Sequence, residues 1–232
     1  MDKYKRNTTK RAPAPEDLVE FFDCEQGSEA WHDLHRGVPS ASKFATIMAD
    51  GKDGGPSLTR GRLMDQMAAE IISGLRAETY SSRAMERGLE QEPALIEHYA
   101  FTRGVSVERV GFIRRTIANP LGEDLVIGCS PDGLVGADGL VQTKSLQPDL
   151  LIRLVDDGRF PAKHKWQCHG EIWVSGRQWC DLRIGYAGMP IDATFRITRD
   201  DLLIDELKAG VEKFSWELKK LIERVKQKGR IR

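Results

Sequence analysis

The longest regular pattern lies at the C-terminal end. Leu203, Leu207, Val211, Phe214, Leu218, Ile222 and Val225 recur at three- and four-residue steps, which predicts one long helix with a single apolar stripe, capped by Asp200. The same spacing predicts a helix over 57–73, with Leu63, Met67 and Ile71 on one stripe and Gly74 ending it. A third helix is expected over about 82–103, where Leu89, Glu92, Ile96 and Tyr99 share a face. A carboxylate on an apolar stripe is costly unless it is paired or holds a metal. Glu92 is therefore a catalytic candidate, or half of a buried ion pair with Arg87 or Lys144. Shorter helices are expected over 149–157, ended by Gly158-Arg159, and over 163–175, where Trp166, His169 and Trp173 share a stripe with Gln167 at its border. Strand-like alternation marks 105–118, 124–129, 140–144, 180–186 and 191–197, the last two joined by Gly188-Met-Pro190. Strands interleaved with helices predict an α/β fold, a central mixed β-sheet flanked by helices. No internal repeat or linker divides the chain, so 17–232 is expected to form one domain behind a basic N-terminal tail, 1–16.

Composition narrows the class. The 232 residues are 40% hydrophobic and 30% charged with a formal net charge of zero, as in an ordinary globular domain with a proper core. A protein of this balance that binds nucleic acid must segregate its charges. No apolar run is long enough to span a bilayer. The four cysteines, Cys24, Cys129, Cys168 and Cys180, show no framework spacing and no C-x-x-C pair, so free thiols in a cytoplasmic compartment are expected rather than disulfides or zinc. The tail, with Lys3, Lys5, Arg6, Lys10 and Arg11, suits a solvated segment or an arm that contacts phosphates.

The candidate chemistry sits at 130–145, Ser-Pro-Asp-Gly-Leu-Val-Gly-Ala-Asp-Gly-Leu-Val-Gln-Thr-Lys-Ser. After the apolar run 124–129, Gly136, Asp138 and Gly139 supply a turn and 140–144 returns as a strand. Asp132 then lies beside residues 142 and 144, and alternation puts Gln142 and Lys144 on one face. An acid, an amide and an amine converging at one end of a sheet suit metal-assisted phosphodiester hydrolysis. The carboxylate holds a hard cation, and the lysine orients or deprotonates water and offsets charge. The spacing alone also suits a solvated surface turn.

Ser130-Pro-Asp-Gly-Leu134 followed by Gly139-Leu-Val-Gln-Thr-Lys-Ser145 resembles the PD-(D/E)-x-K nuclease signature. More narrowly, it resembles the YqaJ-like viral recombinase family. Ala30-Trp-His-Asp-Leu-His-Arg-Gly-Val-Pro-Ser-Ala-Ser42, Arg87-Gly-Leu-Glu-Gln-Glu92 and Trp166-Gln-Cys-His-Gly-Glu-Ile-Trp-Val-Ser175 resemble that family's other motifs, in the same order. The resemblance implies a restriction-endonuclease-like core. It also implies an Mg²⁺- or Mn²⁺-dependent 5′-to-3′ exonuclease that acts on ends of linear double-stranded DNA. Such an enzyme leaves 3′ single-stranded overhangs for recombination by strand annealing, works as a homotrimer ring, and partners a single-strand annealing recombinase. Asp132, Glu92, residue 142 and the Thr143 carbonyl are the implied metal ligands, Lys144 activates or positions water, and Gln167 assists. Ser42, Arg36, His35, Ser130 and Trp31 are the candidates for holding DNA or its terminal phosphate, with a plain helix cap the alternative for Ser42 and core packing for Trp31. Two departures stand out. Gln142 replaces the family's glutamate, which lowers the expected metal affinity and marks either a divergent member or an inactivated variant. His35 stands where the family places an arginine, with Arg36 adjacent. A structure-specific or nicking endonuclease, or a non-catalytic DNA-binding or assembly subunit, are the competing readings.

Overall fold

In the computed structural model, which describes residues 17–51, 54–75, 83–119 and 123–229, the chain begins β1 (Leu18–Phe22), α1 (Glu29–His35), α2 (Ala41–Ile47), α3 (Leu58–Ser73) and α4 (Arg83–Arg103). It continues β2 (Val107–Glu108), β3 (Phe112–Ile117), β4 (Leu125–Cys129), β5 (Gly133–Val135) and β6 (Gly139–Ser145). It ends α5 (Pro148–Asp157), a 3-10 turn (Ala162–His164), α6 (Lys165–Ser175), β7 (Trp179–Gly185), β8 (Ala193–Thr198) and α7 (Asp201–Lys228). The expected tail, 1–16, lies outside the described residues. The fold is α/β, but the strands form two sheets where one was expected: β1-β3-β4, all antiparallel, and β2-β5-β6-β7-β8, in which β6 and β7 run parallel.

Two local breaks divide the sheets. The strand expected over 105–118 splits at Gly111, whose amide donates to Phe22 O at 3.1 Å. A Cβ at Gly111 would lie 2.1 Å from the Cys24 carbonyl oxygen, so the crossing of β1 and the 111 corner demands glycine. The second break follows Cys129. Pro131 has no N–H to give a ladder, and the chain swings out of β4 and enters the other sheet as β5. The hairpin partner of β6 is therefore β5, with Gly133 opposite Val141 and Val135 opposite Gly139, and not the 124–129 strand.

The helix patterns hold where tertiary packing covers them. α7 starts at Asp200, whose side chain accepts from the Leu203 amide at 3.1 Å. It buries Ile204, Leu207, Val211, Phe214 and Leu218, while Val225 is exposed beyond the edge of the core. On α4 the stripe is narrower than its spacing predicted: Leu95, Ile96 and Tyr99 are buried but Leu89 is exposed. α6 is buried along nearly its whole length, from Cys168 to Ser175. Its closest approach to α2 is at Gly170, where a Cβ would sit 2.3 Å from the buried ring of Phe44.

The second sheet is a partition. Alternation sends Leu140, Leu182, Cys180 and Ile184 into the main core with α6, and Val141 to a smaller cluster with Tyr99 of α4. Gln142 and Lys144 have the parity of Leu140 and so face the α6 side. The crossover from β6 through α5 and α6 to parallel β7 places α6 over that face. Among the described residues no helix is long and apolar enough to cross a membrane, and the four cysteines are free.

Candidate active site at the hairpin

Asp132 sits at the mouth of the β5–β6 hairpin, one residue before β5. Its Oδ2 accepts three hydrogen bonds: from the Thr143 amide at 2.6 Å, from Thr143 Oγ1 at 2.7 Å and from Gln142 Nε2 at 2.9 Å. The hairpin register makes this possible, because Gly133 opposite Val141 brings residue 132 level with 142 and 143. Gly133 also lets β2 close over the hairpin, since a Cβ there would lie 2.2 Å from Val107 Cγ1. The loop before Asp132 is pinned by Gln26, whose Nε2 donates to Val110 O and to Pro131 O. The acid is thus held by backbone geometry and not by a flexible tip.

Glu92 approaches from α4. It pairs with Arg109 Nη1 at 2.9 Å, and the same Nη1 donates to the Asp132 carbonyl oxygen at 2.7 Å. The ion-pair partner is therefore Arg109, neither Arg87 nor Lys144. Burial, then the Asp132 charge, push the Glu92 carboxyl above its ordinary range, while Arg109 and Lys144 pull it back. A second acid faces the same pair of charges from α6. Glu171 is buried, and burial raises its carboxyl to about 8, against the pull of the Gln167 hydrogen bond. Asp132 raises it further and Lys144 opposes. Asp132 and Lys144 thus act on one carboxyl from α4 and another from α6. Gln167 donates from Nε2 to Glu171 Oε1 at 2.9 Å. His164, also within reach of the Lys144 charge, is held down to about 4, chiefly by burial.

The predicted phosphate-holding residues divide. Trp31, His35 and Ser130 form one unit. Trp31 Nε1 donates to Ser130 Oγ at 2.9 Å, and His35 Nδ1 donates to Trp31 O at 2.9 Å. Its Nε2 is then the acceptor, 3.5 Å from Ser130 Oγ. The His35 ring stacks between Trp31 and Phe112, at 3.7 and 4.4 Å between centroids. Burial holds His35 down to about 4, so it is neutral at physiological pH and offers no cation to a phosphate. Arg36 is engaged with Asp33 at the surface. Ser42 is exposed near the start of α2, 3.3 Å from Ser40 Oγ, and Ser40 bridges to Gly128 beside β4. The structure therefore brings Asp132, Gln142 and Thr143 into contact, joins Glu92 to them through Arg109, puts the Lys144 charge within reach of Glu92 and Glu171, and ties Gln167 to Glu171. Trp31, His35 and Ser130 stand next to Asp132 through the 130–132 segment, and Arg36 is directed elsewhere.

Sequence reasoning missed Glu171, the role of Arg109 as partner of Glu92, and Lys43, a half-buried α2 lysine whose charge lowers His35 further and whose own basicity burial lowers. The signal for Glu171 was present: it lies four residues after Gln167, on a helix whose neighbours are apolar, the same pattern that marked Glu92.

The donor set suits a hard cation. Asp132, Glu92 and backbone carbonyls are oxygen ligands of the kind Mg²⁺ and Mn²⁺ take. Gln142 Oε1 is buried and has no hydrogen-bond partner, an oxygen that a cation or its water would satisfy. Among the described residues no three His, Cys, Asp or Glu side chains gather as a metal cluster.

A pH prediction follows from Glu171. Its folded pKa of about 8 exceeds the unfolded carboxylate value, so the folded state holds a proton that the unfolded state has released. This contribution is fully present below about pH 4.5 and is lost as pH rises through 8. Glu171→Gln removes the loss. Without divalent cation, its melting temperature relative to wild type is expected to rise by several degrees between pH 5 and pH 9. A constant difference across that range contradicts the buried, protonated carboxyl.

The YqaJ-like viral recombinase domain model matches residues 30–178. The structure is similar to that of an alkaline exonuclease from Laribacter hongkongensis, with 30% identity, 87% of this chain and 97% of that one covered, and a TM-score of 0.73. A second structure of the same enzyme, in complex with dAMP, gives 0.74. A phage-related exonuclease from Haemophilus somnus 129PT is similar in fold, at 16% identity, 83% and 98% coverage and a TM-score of 0.60. No curated protein sequence matches the chain.

Proposed function

We propose, from the premise that the chain belongs to the YqaJ-like viral recombinase family and has a nuclease role on the PD-(D/E)-x-K fold, that it is a divalent-cation-dependent 5′-to-3′ exonuclease acting on ends of linear duplex DNA. The product is a 3′ single-stranded overhang. The observation that carries this reading is the fixed group at the hairpin: Asp132 held by three donors to its Oδ2, with Glu92 within reach of the Asp132 and Lys144 charges.

Asp132, Glu92, the Gln142 amide oxygen and the Thr143 carbonyl would hold Mg²⁺ or Mn²⁺. Bound there, the cation lowers the pKa of water and neutralises phosphate charge. The residues of the chain do the rest. Lys144 orients the attacking water and offsets charge on the phosphoryl oxygens. Arg109 fixes Glu92 against the Asp132 backbone, so the two acids keep their spacing. Gln167, whose Nε2 donates to Glu171 Oε1, assists from α6. Ser42 and the Ser130 hydroxyl line the approach for a terminal phosphate, with Ser130 held by the Trp31 indole beside the neutral His35 ring. The complex of the Laribacter hongkongensis enzyme with dAMP supports a mononucleotide product. The resemblance further supports a homotrimer ring and a single-strand annealing recombinase as partner.

Gln142 favours a second reading, a DNA-binding or assembly subunit without chemistry, because an amide binds a cation more weakly than a carboxylate. Digestion of 5′- and 3′-labelled linear duplex, beside covalently closed and nicked circles, separates the readings. The exonuclease shortens only linear duplex, in the presence of Mg²⁺, and releases the 5′ label as mononucleotide first. Cutting of closed circles makes it an endonuclease. DNA binding with no cleavage at any Mg²⁺ or Mn²⁺ concentration makes it the subunit.

A further inference from the structure

Two buried polar groups stand out on the α6 side of β6. Glu171 is 1% exposed. Its carboxyl accepts from Gln167 Nε2 at 2.9 Å and from the Cys180 thiol at 3.7 Å, both neutral. It is in no ion pair among the described residues. Burying a carboxyl that meets only an amide and a thiol is unfavourable by several kcal/mol if it is charged, and a fold that needed only packing would place an apolar side chain here. The second group is Gln142 Oε1, buried without a donor.

These groups share one wall. Gln142 lies opposite Leu182 in the parallel β6–β7 ladder, and Cys180, which touches Glu171, lies one residue pair further back on the same face, roughly 7 Å along the strand. Position 142 has the right place for a cation ligand and lacks its charge. Glu171 has the charge-bearing group and stands behind it.

We infer that Glu171 supplies the cation site with the negative charge that residue 142 does not carry. This rests on the nuclease reading above and adds to it a charge-supplying residue on α6. The strand position contributes an oxygen without charge, and the helix contributes the charge behind it. In the water-excluded interior a charge one residue pair away acts at low effective dielectric, so its influence on a cation is far larger than at the surface. When a cation enters, the Glu171 proton passes to solvent and the carboxylate remains to balance the ion.

The test measures cation binding and not only cleavage. Mn²⁺ is titrated calorimetrically into the full chain and into Glu171→Gln, Gln142→Glu, the Gln142→Glu/Glu171→Gln double variant and Cys180→Ala. Glu171→Gln is expected to weaken Mn²⁺ binding by about tenfold or more, the change in a charge interaction worth ~1.4 kcal/mol. The double variant, which moves the charge from helix to strand, is expected to bind within about threefold of wild type. Cys180→Ala removes a neighbour of Glu171 but not its charge and is expected to bind as wild type does. Unchanged binding by Glu171→Gln overturns the inference, as does failure of the double variant to recover. A loss in Cys180→Ala equal to that in Glu171→Gln also overturns it, because packing then explains both. Wild-type protein that binds Mn²⁺ and digests linear duplex alongside an unaffected Glu171→Gln separates failure of this inference from failure of the nuclease reading. The latter would appear as wild-type protein with neither binding nor digestion.

Discussion

Asp132→Asn is expected to reduce Mg²⁺-dependent digestion of linear duplex DNA by about a thousandfold or more, ~4 kcal/mol of transition-state stabilisation, while the protein stays folded. The substitution is nearly isosteric. An asparagine oxygen can still accept from the Thr143 amide, Thr143 Oγ1 and Gln142 Nε2, the three donors that hold Oδ2. What it removes is the charge, and with Gln142 already an amide the hairpin's other acid, Asp138, sits at the turn beyond the Val135–Gly139 pair and does not replace it. Glu92 does not compensate, because Arg109 already occupies its Oε1. The measurement is initial nucleotide release at saturating Mg²⁺, with circular dichroism as the control for folding. A variant within tenfold of wild type would place the cation elsewhere.

Gln142→Glu has the second large effect, and it has two opposite parts. In chelator the new carboxylate meets Asp132 Oδ2 where Gln142 Nε2 donates at 2.9 Å. A hydrogen bond becomes a like-charge contact, worth on the order of 1–3 kcal/mol against the fold. The melting temperature is expected to fall by roughly 3–10 °C. With Mg²⁺ or Mn²⁺ present the same carboxylate becomes a ligand, affinity rises by about tenfold or more, and the melting temperature recovers as the cation concentration increases. Differential scanning fluorimetry across a Mn²⁺ series checks both parts. A loss of stability that no cation repairs would mean that residue 142 packs the core and does not face an ion.

The hairpin was legible from residue spacing because its determinants are local. Glycines set the turn, alternation sets the faces, and the Asp132–Gln142 contact follows from register. The apolar stripe of α7 was legible for the same reason, up to the point where the core ends and Val225 meets solvent. Glu92 stood out because a charge on an apolar stripe is expensive, and it does sit in an ion pair, but its partner was not foreseen. Arg109 lies 17 residues away on a corner between β2 and β3, and no local pattern aims it at α4. The single expected sheet failed on two corners, Gly111 and Pro131, where close approach and a missing N–H turn the chain from one sheet to the other. Glu171 shows the opposite failing. Its helix was recognised, but the two tryptophans and Gln167 drew the reading, and the buried acid four residues on went unremarked. His35 was expected near a phosphate and lies near Ser130, yet burial against the Trp31 and Phe112 rings holds it neutral, a tertiary effect that spacing does not encode.

A divalent cation held at the hairpin is the central requirement of the proposed nuclease. Crystals of the wild-type protein soaked in Mn²⁺ and collected at the manganese edge test it most directly. The account predicts an anomalous peak in contact with Asp132 and the Gln142 amide oxygen, with Glu92 on its open side. Crystals that take up Mn²⁺ only away from Asp132, from protein that digests linear duplex in solution, would contradict it.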